Sequence, residues 1–195
     1  MNFIKNLPVI LMLVLISPVV WLPLSYGEEQ APGEFEMKAA FLYNIAKFIE
    51  WPLNPDEQDN DLTICVSGKT PFSSALDSIS GKMIRGKEII VKRNFPAGAM
   101  KKCDILFIPG HEKTKLDSIL KNLKNLPILT VGDTEFFADK GVMINFYVEN
   151  DRVRFEINTE AAKRTGLRIH SNLLRLGKII PMHSDGKRNT NGFAR

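Results

Sequence analysis

Between residues 34 and 50 the apolar side chains Met37, Phe41, Leu42, Ile45, Phe48 and Ile49 return at steps of three and four, while Lys38, Asn44, Lys47 and Glu50 fall mostly between them. That spacing predicts an amphipathic helix over 34–50. Pro52 stops it, because the residue before a proline is biased away from helix. A polar stretch with one proline and four acids, 54–61, reads as a loop. Short apolar runs then alternate with helical segments. Residues 62–66, 88–92, 104–108 and 128–131 read as strands. Residues 71–79 read as a helix with Thr70 as N-cap and Pro71 in the first turn. Residues 114–123 carry Leu116, Ile119, Leu120 and Leu123 on one helical stripe, and 136–139 form a short helical turn ended by Gly141.

Two strands, 142–148 and 152–157, follow, joined by the hairpin-length connection Glu149-Asn150-Asp151. Asn158 caps a helix running through Thr165, with Gly166 just past its end. Ser171 caps a last short helix bearing Leu173, Leu174 and Leu176, and 183–195 is a polar, loose tail. Strands alternating with helices predict an α/β fold. It is a single domain whose mixed, mostly parallel sheet is flanked by helices and ends in a late antiparallel hairpin.

The first 27 residues have a different pattern. Lys5 is their one charged side chain, residues 7–24 are almost wholly apolar apart from Pro8, Pro18 and Pro23, and Ser25-Tyr26-Gly27 closes the run with small residues. A charged start, an apolar middle and a small-residue exit describe a secretory signal peptide. The alternative is a transmembrane anchor, for which the run is just long enough, but the prolines and the small exit favour cleavage. The predicted layout is a signal peptide over 1–27, an exported domain over 28–182 and the tail over 183–195.

Composition adds limits. At 195 residues with 44% hydrophobic and 25% charged side chains, the chain is an ordinary globular one, not a disordered or disulfide-dense one. Its net charge of +4 comes from 26 basic and 22 acidic residues in mixture, which is no nucleic-acid footprint. In an exported chain, Cys65 and Cys103 suggest one disulfide closing a loop of about 38 residues. In the chain-entropy picture that is worth roughly 3–4 kcal/mol. The alternative is two buried free thiols. A metal site has less support, because neither cysteine lies in a short Cys/His cluster.

Catalytic and cofactor motifs fail on inspection. Gly81 to Lys87 resembles the start of a phosphate loop, but Glu88 stands where Ser or Thr must bind magnesium, and the segment precedes a strand instead of following one. There is no dinucleotide fingerprint and no nucleophile elbow, so no cofactor is expected. His111, His170 and His183 are scattered, and His111-Glu112 reads as a solvated loop pair. Asp133 follows a strand, where α/β folds place functional residues, although a lone Asp there is more often a helix cap. Trp51 reads as a core plug before Pro52, or as a partner anchor if exposed. If residues 168–170 are extended, Arg168 and His170 share one face. Together they would suit an anion or an aromatic carboxylate. The plainer reading is a surface arginine beside a hydrogen-bonded histidine.

Three stretches together resemble the YfiR family of exported regulators. They are Met37 to Pro52 (MKAAFLYNIAKFIEWP), the Cys103-preceded run Asp104 to Ile108, and Val153 to Asn158 followed by Ala161-Ala162, Gly166-Leu167 and Ser171-Asn172-Leu173-Leu174-Arg175-Leu176. The resemblance spans roughly 34–180. It implies a periplasmic α/β protein without enzyme activity, often a homodimer. Such a protein binds and represses the periplasmic domain of an inner-membrane diguanylate cyclase, and an OmpA-like outer-membrane lipoprotein sequesters it. Cyclic-di-GMP signalling and biofilm formation are the implied output. The Cys65 and Cys103 pair matches a family disulfide, while a second family disulfide near the late hairpin has no cysteines here. Arg168 and His170 fall where the resemblance suggests a small-ligand pocket, and Glu156 falls on a face implicated in cyclase control. The alternation of Val153, Phe155 and Ile157 with Arg152, Arg154 and Glu156 turns Glu156 outward. The alternative function is a periplasmic small-ligand module built on Arg168 and His170.

The leader pattern predicts that the protein recovered from the cell envelope begins near Glu28. N-terminal sequencing that found Met1 retained would refute cleavage.

Overall fold

The computed structural model describes residues 33–52, 61–93 and 97–181. The predicted leader, most of the polar loop at 54–61 and the polar tail lie outside them. In chain order the elements are α1 (Glu34–Ala46), β1 (Ile49–Glu50), β2 (Asp61–Val66), α2 (Phe72–Ala75), β3 (Met83–Ile84), β4 (Lys87–Lys92), β5 (Ile105–Ile108) and α3 (Leu116–Asn122). They continue with β6 (Leu129–Gly132), β7 (Ile144–Glu149), β8 (Arg152–Ile157), α4 (Thr159–Arg164), β9 (Arg168–Ile169), α5 (Ser171–Leu174) and β10 (Lys178–Ile179). Among the described residues, eight strands form one sheet in the order β10-β8-β7-β6-β5-β2-β4-β3, and β1 pairs with β9 apart from it.

The apolar runs read as strands are apolar because both of their faces are covered. Along β5, Ile105 and Phe107 point into one core and Leu106 and Ile108 into another. The alternation follows from the period of two, and burial on both sides is the usual condition of parallel strands. α1, α2, α4 and α5 contribute to the first core, and α3 with Phe137 and Val142 to the second. The strands β4, β2, β5, β6 and β7 run parallel, and β7 turns back into β8 through Asn150 and Asp151, both at positive φ. The rejected phosphate loop is a hairpin: Arg85 (φ 51°) and Gly86 (φ 83°) join β3 to β4. A two-residue turn with both φ values positive matches the twist of the strands it connects.

The first helix ends sooner than its periodicity predicts. It stops at Ala46, and Ile49–Glu50 extends to pair with Ile169 and Arg168. A strand partner far along the chain outweighs the local helical pattern, and Pro52 is not what ends the helix. Lys38, which the spacing placed off the apolar stripe, is 3% exposed. Its ammonium donates to Asp133 Oδ2 at 3.0 Å and also pairs with Glu34 one turn earlier. Asp133 is therefore the partner of a buried cation, not a helix cap. Asn158 does cap α4, its side chain accepting from the Ala161 amide at 2.8 Å, and Gly166 follows at φ 79°. The last helix, α5, is capped by His170 and not by Ser171.

Cys65 of β2 and Cys103, just before β5, are joined by a disulfide with their Cα atoms 5.9 Å apart. β2 and β5 are adjacent parallel strands, which brings the two positions within reach. The bond sits in the second core with Met100, Leu106 and Leu116. Replacing both cysteines by serine should cost about 2–5 kcal/mol, read as a lower midpoint in denaturant or heat. An unchanged midpoint would show that the bond adds nothing to the fold.

Candidate functional site

On β8, Val153, Phe155 and Ile157 are buried in the first core, and Arg152, Arg154 and Glu156 point to the opposite face. Glu156 is nevertheless not a free outward carboxylate, because its side chain is only 14% exposed. The sheet continues past β8, so Glu156 has neighbours on both sides. Asn145 of β7, its cross-strand partner, donates from Nδ2 to Oε2 at 3.3 Å, and Lys178 of β10 donates to Oε1 at 3.1 Å. Asn145 is 1% exposed, and its Oδ1 has no hydrogen-bond partner among the described residues. The hydrogen bond and charge of Glu156 hold the Lys178 ammonium above its usual pKa. Sequence alternation gave the direction of Glu156. It could not give Lys178, which lies 22 residues away on a two-residue strand that no pattern announces.

Arg168 and His170 do lie on one side of the segment that carries β9, and both are exposed. Arg168 Nε stands 3.7 Å from Glu50 Oε2, with its side chain 84% exposed. His170 serves the backbone: its Nδ1 accepts from the Asn172 amide at 3.2 Å, and its own amide donates to Phe48 O at 2.9 Å. With Nδ1 accepting, Nε2 is the ring nitrogen that carries the proton and remains to meet a ligand. The Phe48 ring lies 6.1 Å away. The pair therefore offers one guanidinium, one imidazole N–H and an aromatic edge.

The parallel strands β4-β2-β5-β6-β7 have the order of a doubly wound sheet, whose direction reverses between β2 and β5. Ligands of such sheets bind at the carboxyl ends of the strands beside that reversal. Here those ends are occupied by the chain itself. A Cβ on Gly68 would come within 2.5 Å of His111 Nε2, so the loop after β5 lies directly on the loop after β2. Glu112 is buried there, 3.1 Å from Lys115 and 3.7 Å from His111. The pair expected to be solvated is thus partly enclosed, with the carboxylate inside. Trp51 is partly buried against the first core, its indole N–H donating to Asp104 O at 3.3 Å.

A model of the YfiR/HmsC-like family matches residues 35–178, from the second residue of α1 to the first of β10. The chain belongs to the YfiR/HmsC-like family. All the residues singled out above as sites, from Cys65 to Lys178, lie within the matched span. Among solved structures, this YfiR/HmsC-like chain is similar to a conserved domain protein from Vibrio cholerae O1 biovar eltor. The TM-score is 0.50 at 10% identity, over 75% of this chain and 60% of that one. It is also similar to an ABC domain from Streptococcus pneumonia in complex with L-Trp, with a TM-score of 0.45 at 10% identity, over 62% of this chain and 56% of that one. The chain therefore spans less than two thirds of each, and the likeness to the Vibrio protein is one of fold.

The pairing of Glu156 with Lys178 predicts a pH dependence. A raised folded-state pKa means that the contribution of Lys178 is complete below about 10.5 and is lost as pH rises through the higher folded value. The ammonium is well exposed, so the whole effect should stay under about 1 kcal/mol. In thermal melts from about pH 8 to pH 12, the gap between the native protein and Lys178→Met should close at the alkaline end. A gap that stays constant would mean that the pair is not what separates them.

Proposed function

We propose that this chain is an exported periplasmic regulator that binds the periplasmic domain of an inner-membrane diguanylate cyclase and holds it inactive. Cyclic-di-GMP and biofilm formation would then be low while the regulator is bound. The observation that carries this reading is the family match across α1 to β10. The leader pattern supports export, and a disulfide suits an oxidising compartment. Sequestration by an OmpA-like outer-membrane lipoprotein would release the cyclase, and the working form would be a homodimer.

Binding, with no chemistry on a substrate, is the mode of action in this reading. The Glu156 face suits it physically. A carboxylate held by Asn145 and Lys178 is oriented before a partner arrives, so little side-chain freedom remains to be lost on docking. A basic group on the cyclase would compete with Lys178 for Glu156 and fix the register of the complex. Arg168, His170 and Phe48 would take a small aromatic or anionic ligand that modulates the regulator, since Arg168 and the free His170 nitrogen both face outward on one side.

Deleting the gene should raise cellular cyclic-di-GMP while the partner cyclase is expressed and its activating signals are absent. Unchanged cyclic-di-GMP would defeat the regulatory reading. At Glu156 the informative substitution is Gln, because a reversed charge would be forced against Lys178 and a mostly covered site. Glu156→Gln keeps an acceptor for Asn145, should melt close to the native protein, and should raise cyclic-di-GMP and weaken cyclase capture from detergent-solubilised membranes. Native levels of both would remove Glu156 from the interface.

A further inference from the structure

Among the described residues, the outer edge of β8 is only half used. β10 pairs with β8 through Lys178 opposite Glu156 and Ile179 opposite Ile157, and the Ile180 amide donates to Ile157 O at 2.9 Å. On the other edge, Glu149 and Arg152 flank the two-residue turn and open the ladder with β7. Such a turn closes on a hydrogen-bonded pair, and in an antiparallel ladder these alternate with outward-facing residues. Arg152, Arg154 and Glu156 thus direct their backbone groups to β7, and Val153, Phe155 and Ile157 direct theirs to the outer edge. β10 reaches Ile157 but begins too late to meet Val153 or the Phe155 amide.

That unfilled edge borders a groove of about 540 Å³. Its apolar wall includes Phe41, Phe48, Leu173 and Leu176, and the charged residues that line it are two cations, Arg154, which pairs through Nε with Glu149 at 2.9 Å, and Lys178, which pairs with Glu156 at 3.1 Å. The chain leaving α5 shapes one lip. A Cβ on Gly177 would lie 2.5 Å from the Phe155 ring, so the backbone presses onto β8 there and leaves Leu176 72% exposed.

We propose that the open edge of β8 accepts an extended segment of a partner protein as an added strand, in line with β10, and that the segment alternates apolar and acidic residues. Each part of that description follows from the geometry. Unpaired backbone groups along a strand edge call for a backbone partner, the recognition mode known as strand addition. Side chains of an added strand point alternately to the two faces of the sheet. One set would meet Phe41, Phe48 and Leu173 on the α1 side. The other would meet Arg154 and Lys178, which share the face of Glu156. A second copy of the chain fits less well, because a two-fold pairing of this edge would set Arg154 and Lys178 against their own counterparts. The proposal requires no particular partner and stands or falls separately from the cyclase reading.

The test uses the purified protein and a fluorescein-labelled octapeptide of alternating valine and glutamate. Two further versions are N-methylated on alternate amides, one set for each edge of the peptide, and a fourth carries lysine in place of glutamate. Strand addition predicts saturable binding of the parent peptide. One N-methylated version should bind at least about tenfold more weakly and the other nearly as well as the parent, since only one edge of the peptide faces β8. The lysine version should bind at least about tenfold more weakly still than the parent. Leu176→Asp, at an exposed site, should weaken binding without moving the melting temperature, and the Val153 and Phe155 amides should gain protection from hydrogen exchange in the complex. Absence of binding at millimolar peptide, equal loss from both methylated versions, or equal binding of the lysine peptide would overturn the proposal. Self-association that competes with the peptide and disappears in Leu176→Asp would also overturn it, by assigning the groove to a second copy.

Discussion

The ion pair between Lys38 and Asp133 fixes the helix on which the rest of the architecture leans. An ammonium that is almost wholly buried cannot be left without a counter-charge, and breaking such a pair from one side typically costs about 3–5 kcal/mol. Asp133 stands at the carboxyl end of β6, so the pair ties the first turns of α1 to the middle of the sheet. Glu34, on the preceding turn, adds a second carboxylate. At its other end α1 runs through Phe48 into β1, which is bonded to β9. Held at both ends, α1 presents Phe41 and Ile45, and the chain just past it presents Phe48, to β8 as one wall of the groove. The same anchorage sets where Glu50 and Phe48 meet Arg168 and His170.

The doubly wound order would ordinarily direct attention to the strand ends beside β2 and β5. Here the contact of Gly68 with His111 and the enclosed Glu112 fill that position with the chain's own groups. Glu156, Arg168 and His170, with the exposed Val148, Leu176 and Ile179, lie instead at the places where the sheet departs from the doubly wound plan. Those places are the antiparallel β7–β8 hairpin, the short parallel strand β10 and the separate β1–β9 pair. Among the described residues, a sheet that ends on a two-residue strand leaves part of its edge unpaired, and edge groups are available for recognition in a way that central strands are not.

Much of the plan was legible in the chain. Period-of-two and continuous apolar runs marked β2, β4, β5, β6, β7 and β8, and the Asn158 cap and Gly166 bounded α4, because these signals are local and depend on backbone geometry within a few residues. Two cysteines in a chain whose first residues read as an export leader pointed to one bond. The direction of Glu156 followed from alternation alone.

What needed the tertiary structure was every feature whose partner is distant in sequence. The strands β1, β3, β9 and β10 have two residues each, too few for any periodicity, and exist only because another strand accepts their hydrogen bonds. Lys38 looks like a solvent-facing residue until Asp133, 95 positions away, is brought to it. His170 became a helix cap because the chain turns there after pairing with Phe48, and Glu156 lost its exposure because β10 returns alongside it. Local sequence determines which backbone conformations are cheap and which side chains avoid water. Which charge is buried, which carboxylate is shielded and which strand edge stays open depend on how distant segments meet, and that is settled by packing.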